Sequence, residues 1–357
     1  IDMIVVNARF LTQQVTGVQR FSIELSIRLK RIFGSEISFV APQNIIQEDI
    51  AEELSVIKVG THIGHFWEQW DLPNYLNRVG KPLLINWGNT GPVMYNNKVT
   101  TLHDITFIRY PRTFSFKFRL LYKLLIPQVI RTSKHLFTVS EFSKQEIAGY
   151  YNLPLNKISV IYNAVSDNFH PTRDENLVGD KYLLVVSSVK DNKNFLAALD
   201  SFLLLSERVP ELKMYVIGET KSKSFNDMDL SLYKKESRIK FLGRVSDAQL
   251  VKLYSNACAF IFPSFYEGFG IPVLEAQACG CPVISSNTSS LPEVLLDSAI
   301  LCEPTDIQGM AKSMVTLVKE ENMRNEYIRK GFVNVARFDW ESSCKMISDK
   351  LKCFTIS

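Results

Sequence analysis

Short runs rich in β-branched residues alternate with segments of helical period from one end of the chain to the other. This alternation is typical of parallel strands joined by crossover helices, because a tight turn cannot connect parallel neighbours. In the first half the predicted strands are Met3–Ala8, Ile37–Pro42, Pro82–Asn86, Val99–His103, His135–Val139 and Ile158–Ile161. In the second half they are Tyr182–Ser187, Met214–Gly218, Ile239–Leu242, Ala259–Phe262, Val283–Ser286 and Ile300–Cys302. The predicted helices include Val18–Phe33, Ser115–Ser133, Ser140–Tyr150, Asn194–Arg208, Asp247–Asn256, Pro272–Ala278 and Asp306–Lys319.

The pattern therefore predicts an α/β protein of two Rossmann-like, doubly wound domains. Between the two sets of strands the chain loses its periodicity and contains Pro171 and Gly179. We predict an N-terminal domain of residues 1–165, a linker of residues 166–180 and a C-terminal domain of residues 181–338. Doubly wound sheets bind ligands at the carboxyl ends of their strands, so we expect a site in a cleft where the two domains face each other.

Composition and charge argue against several classes of protein. The six cysteines all lie in the second half without a CxxC pair, so we expect neither a zinc site nor a disulfide framework. No stretch approaches the roughly 18–20 apolar residues of a spanning helix. No signal peptide is recognisable either, and we expect a cytoplasmic location. Residues 1–165 carry a net charge of +6 and the remainder −2, an excess too modest and too confined to indicate nucleic-acid binding.

The strongest chemical signal is the segment FPSFYEGFGIPVLE, which ends at Glu275. In it an apolar strand leads through a polar loop into a helix. Gly268 and Gly270 would let the backbone approach a ligand closely, and the amides of a helix N-terminus form an anion site suited to a diphosphate. The carboxylates of Glu267 and Glu275 could accept hydrogen bonds from vicinal hydroxyls. A helix-start charge and an exposed helix residue are the alternative interpretations of these two glutamates.

This segment and its continuation resemble the retaining glycosyltransferases of the GT-B fold, specifically glycosyltransferase family four. That family carries P-S-x-x-E-G-F-G-x-P-x-L-E-A, followed by G-x-P-V and S-x-L-P-E. The chain matches these motifs at Ser264, Glu267, Gly268, Gly270, Pro272, Glu275, Ala276, Gly280, Pro282, Val283, Ser290, Leu291, Pro292 and Glu293. The resemblance implies that Glu275 binds the nucleotide ribose. It also implies that Glu267 and the loop amides of Phe269 and Gly270 hold the hydroxyls of the donor sugar.

The turn VSSVKDNKN, which ends at Asn194, occupies the place of the family's G-x-x-x-x-R-K-N turn. By this resemblance Lys193 neutralises the leaving diphosphate, and Ser188 of the same turn also contacts the donor. A cation placed there would stabilise charge that develops on a leaving phosphate. Two residues depart from the family pattern, because Ser187 replaces the usual glycine and Asn192 the usual arginine. Arg244 is a candidate for the second positive charge.

Three residues of the first half also resemble the family. The segment QVTGVQR, which ends at Arg20, is similar to the N-terminal glycine loop, and Gly17 would let the chain pass close to the donor phosphates. An ordinary βα turn is the alternative. His103 and Asp104 end a predicted strand on the ligand-binding edge. By resemblance His103 contacts the donor sugar or the reacting oxygens, and Asp104 positions it or the acceptor. Trp340 matches the start of the family's terminal helix, so residues 339–357 are expected to return to the first domain.

The resemblance implies transfer of a hexose from a nucleotide-diphosphate sugar to a glycan acceptor, with retention of configuration and without a metal ion. The segment Asp227-Met-Asp229 has the spelling of a metal motif but lies in a predicted polar loop outside the cleft. The particular residues of these motifs resemble those of bacterial surface-polysaccharide transferases that build O-antigen or capsule. This resemblance favours GDP-mannose as the donor. Transfer from dTDP-rhamnose or a UDP-sugar remains open, as does a non-catalytic nucleotide-sugar-binding protein. A dehydrogenase is disfavoured, because Val273 stands where its third glycine should be.

Residues 105–140 contain no acidic side chain and interleave basic with aromatic residues. This composition suits an anionic membrane surface, and we predict peripheral contact with the inner face of the membrane, where a polyprenyl-diphosphate-linked acceptor would lie. A core-packed helix with solvated lysines is the alternative. Trp67 and Trp70 are predicted to lie in an aromatic loop of the acceptor-side domain, where they would stack on sugar or pack in the core.

Overall fold

The computed structural model describes residues 4–177, 179–186, 191–205, 208–218 and 230–355. Contacts divide the chain into two compact units. Unit 1 comprises residues 1–163 and 339–357, and unit 2 comprises residues 164–338. Each unit contains one parallel sheet flanked by helices, which confirms the predicted pair of Rossmann-like domains.

The sheet of unit 1 has seven parallel strands in the order β3-β2-β1-β4-β5-β6-β7. The strands are β1 Ile4–Asn7, β2 Ile37–Ala41, β3 Ile57–Lys58, β4 Leu83–Asn86, β5 Lys98–Thr101, β6 His135–Thr138 and β7 Ile158–Val160. Successive strands run outward from β1 in one direction as far as β3 and in the other from β4 to β7. The order therefore reverses between β1 and β4, and the carboxyl ends of these two strands form the switch point of the sheet.

The helices of unit 1 before its last one are α1 Gly17–Phe33, α2 Glu48–Leu54, α3 Gly64–Phe66, α4 Leu72–Arg78, α5 Thr106–Arg109, α6 Phe116–Thr132 and α7 Glu141–Tyr151. Side-chain caps fix several of their starts. Ser115 Oγ accepts a hydrogen bond from the Phe118 amide at 3.3 Å, and Ser140 Oγ accepts one from the Ser143 amide at 3.0 Å. No helix within the described ranges is long and apolar enough to cross a membrane.

The prediction that Trp67 and Trp70 lie in an aromatic loop is wrong. This segment is helical, with a π-helical turn at Trp67–Asp71 between α3 and α4. Trp67 and Leu72 are fully buried against strands of the sheet, and Trp67 Nε1 donates to the Val59 carbonyl at 2.8 Å. Burial of these apolar groups stabilises the helical conformation, although the local sequence signal for a helix is weak. Trp70 is instead 66% exposed, so only one of the two indoles belongs to the core.

The last helix, α15 Trp340–Thr355, belongs to unit 1 although it follows unit 2 in sequence. It packs on α1, where the Trp340 and Phe21 rings meet edge to face with centroids 6.0 Å apart. Arg28 Nε donates to Glu341 Oε1 at 3.0 Å on the same face. Ser343 Oγ donates to the Tyr162 carbonyl at 2.8 Å, which ties the helix to the end of the first segment of the unit.

The sheet of unit 2 has six parallel strands in the order β10-β9-β8-β11-β12-β13, with its switch point between β8 and β11. The strands are β8 Tyr182–Val186, β9 Lys213–Ile217, β10 Ile239–Gly243, β11 Ala259–Phe262, β12 Val283–Ser286 and β13 Ile300–Cys302. The described helices are α8 Phe195–Leu205, α9 Ser231–Lys235, α10 Asp247–Asn256, α11 Ile271–Ala278, α12 Leu291–Leu295, α13 Ile307–Lys319 and α14 Glu321–Val335. Helices α8 and α13 pack together over buried apolar strands, and this core positions the loops after β8 and β11.

Candidate active site

An ion pair stands at the switch point of the unit 2 sheet. Lys193 follows β8 in a short 3-10 turn, and Glu267 follows β11. Lys193 Nζ lies 2.6 Å from Glu267 Oε1 and 5.4 Å from the centre of the Phe262 ring. Both side chains are largely but not fully buried. Two residues predicted from separate motifs are therefore joined at the edge where such sheets bind ligands.

Asn192 ties the turn before Lys193 to the loop after β11. Its Nδ2 donates to the Tyr266 carbonyl at 3.0 Å, and its own carbonyl accepts from the Phe265 amide at 2.8 Å. The side chain is buried. The residue that replaces the family's arginine thus supplies a structural bridge and not a cation.

The loop after β11 is also anchored from β12. The Glu267 amide donates to Ser289 Oγ at 3.0 Å, and Ser290 Oγ donates to the Glu267 carbonyl at 3.0 Å. Thr288 Oγ1 donates to the carbonyls of Ser264 and Phe265, at 3.2 and 3.1 Å. These contacts hold the backbone around Glu267 before any ligand arrives.

Gly270 caps the N-terminus of α11 in a left-handed conformation, with φ of +94°. A Cβ atom there would lie 2.8 Å from Leu291 Cδ2, so both the backbone and the packing require glycine. Pro272 occupies the first turn, where its missing N–H costs nothing. Phe269 is buried against Phe338, with ring centroids 5.5 Å apart. The arrangement places a helix N-terminus, a kind of site that binds phosphate, directly after the loop that carries Glu267.

Glu275 lies in α11 and is buried together with the residues around it. Its carboxylate is close enough to Tyr254 that, after burial itself, it is the next cause raising the pKa of that phenol well above its usual range. A carboxylate in such surroundings needs hydrogen-bond partners. It can supply the acceptor that a pair of ribose hydroxyls requires.

One predicted site residue, Arg244, is not joined to this group. Arg244 is exposed after β10, the edge strand, which lies two strands away from β8. It makes no ion pair with a carboxylate in the part of the chain that the structure describes. Ser188 lies outside the described residues, as does the Asp227–Asp229 segment.

In unit 1, His103 and Asp104 follow β5. His103 Nε2 lies 2.8 Å from the Trp87 carbonyl, which can only accept, so the proton is on Nε2 and Nδ1 is an acceptor. Burial lowers the pKa of His103, although the Trp87 carbonyl and Asp104 act in the opposite sense. The imidazole is therefore neutral at neutral pH. Asp104 Oδ1 accepts from the Thr106 amide at 2.8 Å and so fixes the start of α5.

Gly17 is the first residue of α1, after the N-cap Thr16. A Cβ atom at Gly17 would meet no protein atom within 4 Å, and its φ is not in the left-handed region. Neither backbone strain nor internal packing explains a glycine here. Open space beside a helix N-terminus is what a bound phosphate would need.

Sequence reasoning missed a second ion pair, at the switch point of the unit 1 sheet. Arg9 Nε lies 3.2 Å from Glu68 Oε1, and Arg9 Nη2 donates to Thr90 Oγ1 at 3.1 Å. The polar strand ends Asn7 and Asn86, which hydrogen-bond each other at 3.0 Å, were a signal for this site. No local pattern distinguishes the buried Glu68 from a solvated helical glutamate.

Two family descriptions match the chain in succession. Residues 15–169 match Glycosyltransferase Family 4, and residues 169–333 match Glycosyl transferases group 1. The chain is 29% identical over 264 residues to O-antigen chain mannosyltransferase B of Escherichia coli, across 70% of this chain and 69% of that protein. It is also 29% identical over 364 residues to O-antigen chain mannosyltransferase RfbU of Salmonella typhimurium, across 97% of this chain and 99% of that protein.

Among solved structures, the fold is similar to that of Anabaena Alr3699/HepE, which was crystallised in complex with UDP and glucose. The TM-score is 0.75 at 16% sequence identity, with 99% of each chain covered. At this identity the likeness shows a shared fold over the whole length of both chains.

Proposed function

Because the chain is a GT-B glycosyltransferase with a family 4 domain followed by a group 1 domain, we propose that it transfers mannose from GDP-mannose to a lipid-linked glycan during bacterial O-antigen synthesis. The names of the two mannosyltransferase relatives support the sugar and the pathway. The observation that carries the enzymatic role is the Lys193–Glu267 pair beside the N-terminus of α11. Transfer from dTDP-rhamnose or a UDP-sugar is the alternative.

Unit 2 is the proposed donor domain. Glu275 would accept hydrogen bonds from the ribose hydroxyls, the loop amides of Phe269 and Gly270 would hold hydroxyls of the donor sugar, and the amides of the first turn of α11 would bind the diphosphate. The Lys193 ammonium has three donors on a flexible stem, so it can leave Glu267 for a phosphate oxygen. Glu267 could then accept a hydrogen bond from a hydroxyl of the donor sugar. When Lys193 changes its partner from Glu267 to the phosphate, the leaving group gains a positive charge and the sugar gains a hydrogen-bond acceptor.

Displacement at the anomeric carbon develops positive charge on the sugar and negative charge on the leaving diphosphate. In this proposal Lys193, the α11 amides and the Gly17 loop stabilise the leaving diphosphate without a metal ion. A donor phosphate oxygen takes the proton of the acceptor hydroxyl, with retention of configuration. His103, which is neutral, assists by hydrogen bonding and not by charge.

The test is to incubate the protein with GDP-mannose, UDP-glucose or dTDP-rhamnose in a membrane extract and in buffer, and to measure release of the nucleotide diphosphate. The proposal predicts release of GDP from GDP-mannose, faster with the extract, and loss of release in Lys193→Gln. Turnover of UDP-glucose or dTDP-rhamnose alone would overturn the choice of mannose. A protein that releases no nucleotide diphosphate from any donor is not a transferase of this kind.

We also propose that α6 and the residues before it contact an anionic membrane. On α6, Phe116, Leu120 and Leu124 are exposed alongside Lys117, Arg119 and Lys123. Exposed apolar side chains beside cations suit the boundary between headgroups and acyl chains. Such contact would bring the enzyme to a lipid-linked acceptor.

A further inference from the structure

The Arg9–Glu68 ion pair occupies in unit 1 the position that Lys193–Glu267 occupies in unit 2. Each pair lies where the strand order of its own sheet reverses, which is the place where doubly wound sheets bind ligands. Arg9 follows β1, and Glu68 lies in the π-helical turn that precedes α4. π-Helical turns are rare in proteins, and those that occur are often found at functional sites. No step of the proposed donor chemistry uses this pair.

Glu68 orients the side chains around it, because each of its two carboxylate oxygens already has two hydrogen-bond partners. Oε1 accepts from Asn7 Nδ2 at 3.0 Å and from Arg9 Nε at 3.2 Å. Oε2 accepts from Thr90 Oγ1 at 2.7 Å and lies 3.3 Å from His65 Nδ1. The side chain is 1% exposed, and although burial alone raises the pKa of Glu68, the Arg9 charge and the hydrogen bonds of His65 and Thr90 bring it down to about 2. A carboxylate held in this way orients its partners and has no room for a ligand of its own.

Two of those partners reach solvent. The side chain of Arg9 is 15% exposed and that of His65 is 31% exposed. A carboxylate cannot donate, so His65 Nδ1 carries a proton toward Glu68, and in the neutral form of the ring Nε2 is an acceptor. The site therefore presents guanidinium N–H donors next to an imidazole acceptor. A hydroxyl group, which both donates and accepts, satisfies both.

The electrostatics favour an uncharged ligand. If Arg9 moved away from Glu68, a buried carboxylate would be left without its counter-charge, which is unfavourable. The positive charge of Arg9 therefore stays compensated by Glu68. In unit 2 a helix begins soon after β11 and adds positive potential, whereas β4 leads through residues 87–97 to β5 without a helix. The connection after β4 thus lacks the kind of helix N-terminus that selects a phosphate after β11, and the compensated Arg9–Glu68 pair suits a sugar.

The site is continuous with His103. Burial raises the pKa of Tyr122 to about 12, and its hydroxyl lies close enough to Arg9, Glu68 and the Asn89 side chain for each of them to affect that pKa. Asn89 Oδ1 accepts from the His103 amide at 2.9 Å. One polar surface therefore runs from the end of β1 to the end of β5.

We propose that Arg9 and His65, oriented by Glu68, bind hydroxyl groups of a neutral sugar residue of the acceptor. The inference rests on the proposed function, because it assumes that the glycan acceptor is bound by unit 1. Arg9, Glu68 and His65 are distinct from Lys193, Glu267 and Glu275, the residues proposed to bind the donor.

The chain offers a matched control. His62 Nδ1 pairs with Asp71 Oδ1 at 2.9 Å in the same unit, but this second histidine–carboxylate pair is not at the switch point. NMR titration of octyl α-mannoside, octyl β-galactoside and octyl β-N-acetylglucosaminide, without donor, would measure binding to the wild type, His65→Ala and His62→Ala. Arg9→Lys keeps the charge beside Glu68 but removes the planar fork, so it serves if His65→Ala does not fold.

We expect at least one glycoside to bind the wild type and His62→Ala equally, and to bind His65→Ala and Arg9→Lys at least tenfold more weakly. Inorganic phosphate should not compete. Release of nucleotide diphosphate without acceptor should be unchanged in the control His62→Ala. Equal glycoside binding by His65→Ala and His62→Ala overturns the inference, as does competition by phosphate or a wild type that binds none of the three. A wild type that binds a glycoside but turns over no nucleotide sugar contradicts the proposed function instead.

Discussion

At the scale of single residues, the buried carboxylates Glu68 and Glu267 hold cations for different purposes. Glu68 is bonded on both oxygens and is almost completely buried, so its cation is fixed. Lys193 and Glu267 are joined by one short contact between a flexible ammonium and a carboxylate that retain some exposure. An exchangeable pair suits a site that must receive a phosphate, and a fixed pair suits a rigid surface for hydroxyl groups.

Gly17 offers a direct residue-scale test, because nothing in the protein itself requires glycine there. Alanine is about 1 kcal/mol better than glycine within a helix, so we expect Gly17→Ala to unfold at the same temperature as the wild type or a higher one. The added methyl group should nevertheless raise the KM for the donor at least tenfold, by obstructing the phosphates. Gly149 is a matched control, since it lies in α7 with equally open space around it.

The expected contrast is that both alanine variants gain or keep stability and only Gly17→Ala loses activity. Thermal unfolding and steady-state kinetics would measure the two properties. Equal kinetics for Gly17→Ala and Gly149→Ala would assign Gly17 to an ordinary turn.

His135 gives unit 1 an acid-sensitive stability. Burial, followed by the charges of Lys350, Lys157 and Lys144, lowers the pKa of His135 from 6.5 to about 4. Between these values the unfolded chain binds more protons than the folded one, so stability is present above pH 6.5 and is lost as the pH falls toward 4. A shift of this size corresponds to at most about 3 kcal/mol.

All four tryptophans lie in unit 1, so their fluorescence during urea unfolding reports on this unit alone. We expect the wild type to lose stability between pH 6.5 and 4.5 and His135→Gln to lose less. His103, whose pKa burial also lowers, should leave part of the pH dependence in the variant. An identical pH dependence in both proteins would contradict the assignment to His135.

At the scale of elements, the strands were largely predictable and some helices were not. Parallel strands buried on both faces are short apolar runs, and the twelve predicted strands all appear, with ends that differ from the prediction by at most two residues. The exception is β3, an exposed edge strand of two residues. Helix α14 was missed because its buried residues are Gly331 and Asn334, so no apolar stripe marks it.

The candidate site, too, could be predicted from the sequence only in part. Glu267, Gly270 and Glu275 lie in one contiguous motif, so sequence alone could find them. The contact between Lys193 and Glu267 joins two motifs 74 positions apart, and only the order of the strands brings them together. The role of Glu68 depends on long-range partners after β1 and β4, which local sequence does not encode.

Helix α6 is the element on which the proposed membrane contact depends. Reversing the charge of Lys117, Arg119 and Lys123 should abolish sedimentation with anionic liposomes, since each cation near the surface contributes about 1 kcal/mol. Reversing three other exposed cations of unit 1, Arg31, Arg78 and Lys81, should change binding much less. Co-sedimentation with phosphatidylglycerol vesicles measures the difference, and equal loss in both triple variants would reduce the effect to net charge.

At the scale of the whole molecule, the chain places an ion pair at the switch point of each of its two sheets. The surroundings differ in charge and in helix placement, so the two sites suit different ligands. Unit 2 has the helix N-terminus, the exchangeable lysine and the buried Glu275 that a nucleotide sugar needs. Unit 1 has a compensated pair with the His65 imidazole beside it. A sugar transferase needs two such sites, one for each substrate.

The most direct measurement is the affinity of the full chain for GDP. Isothermal titration calorimetry would compare this affinity in the wild type and in variants of unit 2 residues. Hydrogen bonds to charged groups contribute about 1.5–3 kcal/mol, so Glu275→Gln and Lys193→Gln should each weaken GDP binding about tenfold or more. Glu326→Gln, which breaks a surface ion pair of α14, should bind GDP as the wild type does. If both site variants retain full affinity for GDP, the carboxyl edge of the unit 2 sheet is not the donor site.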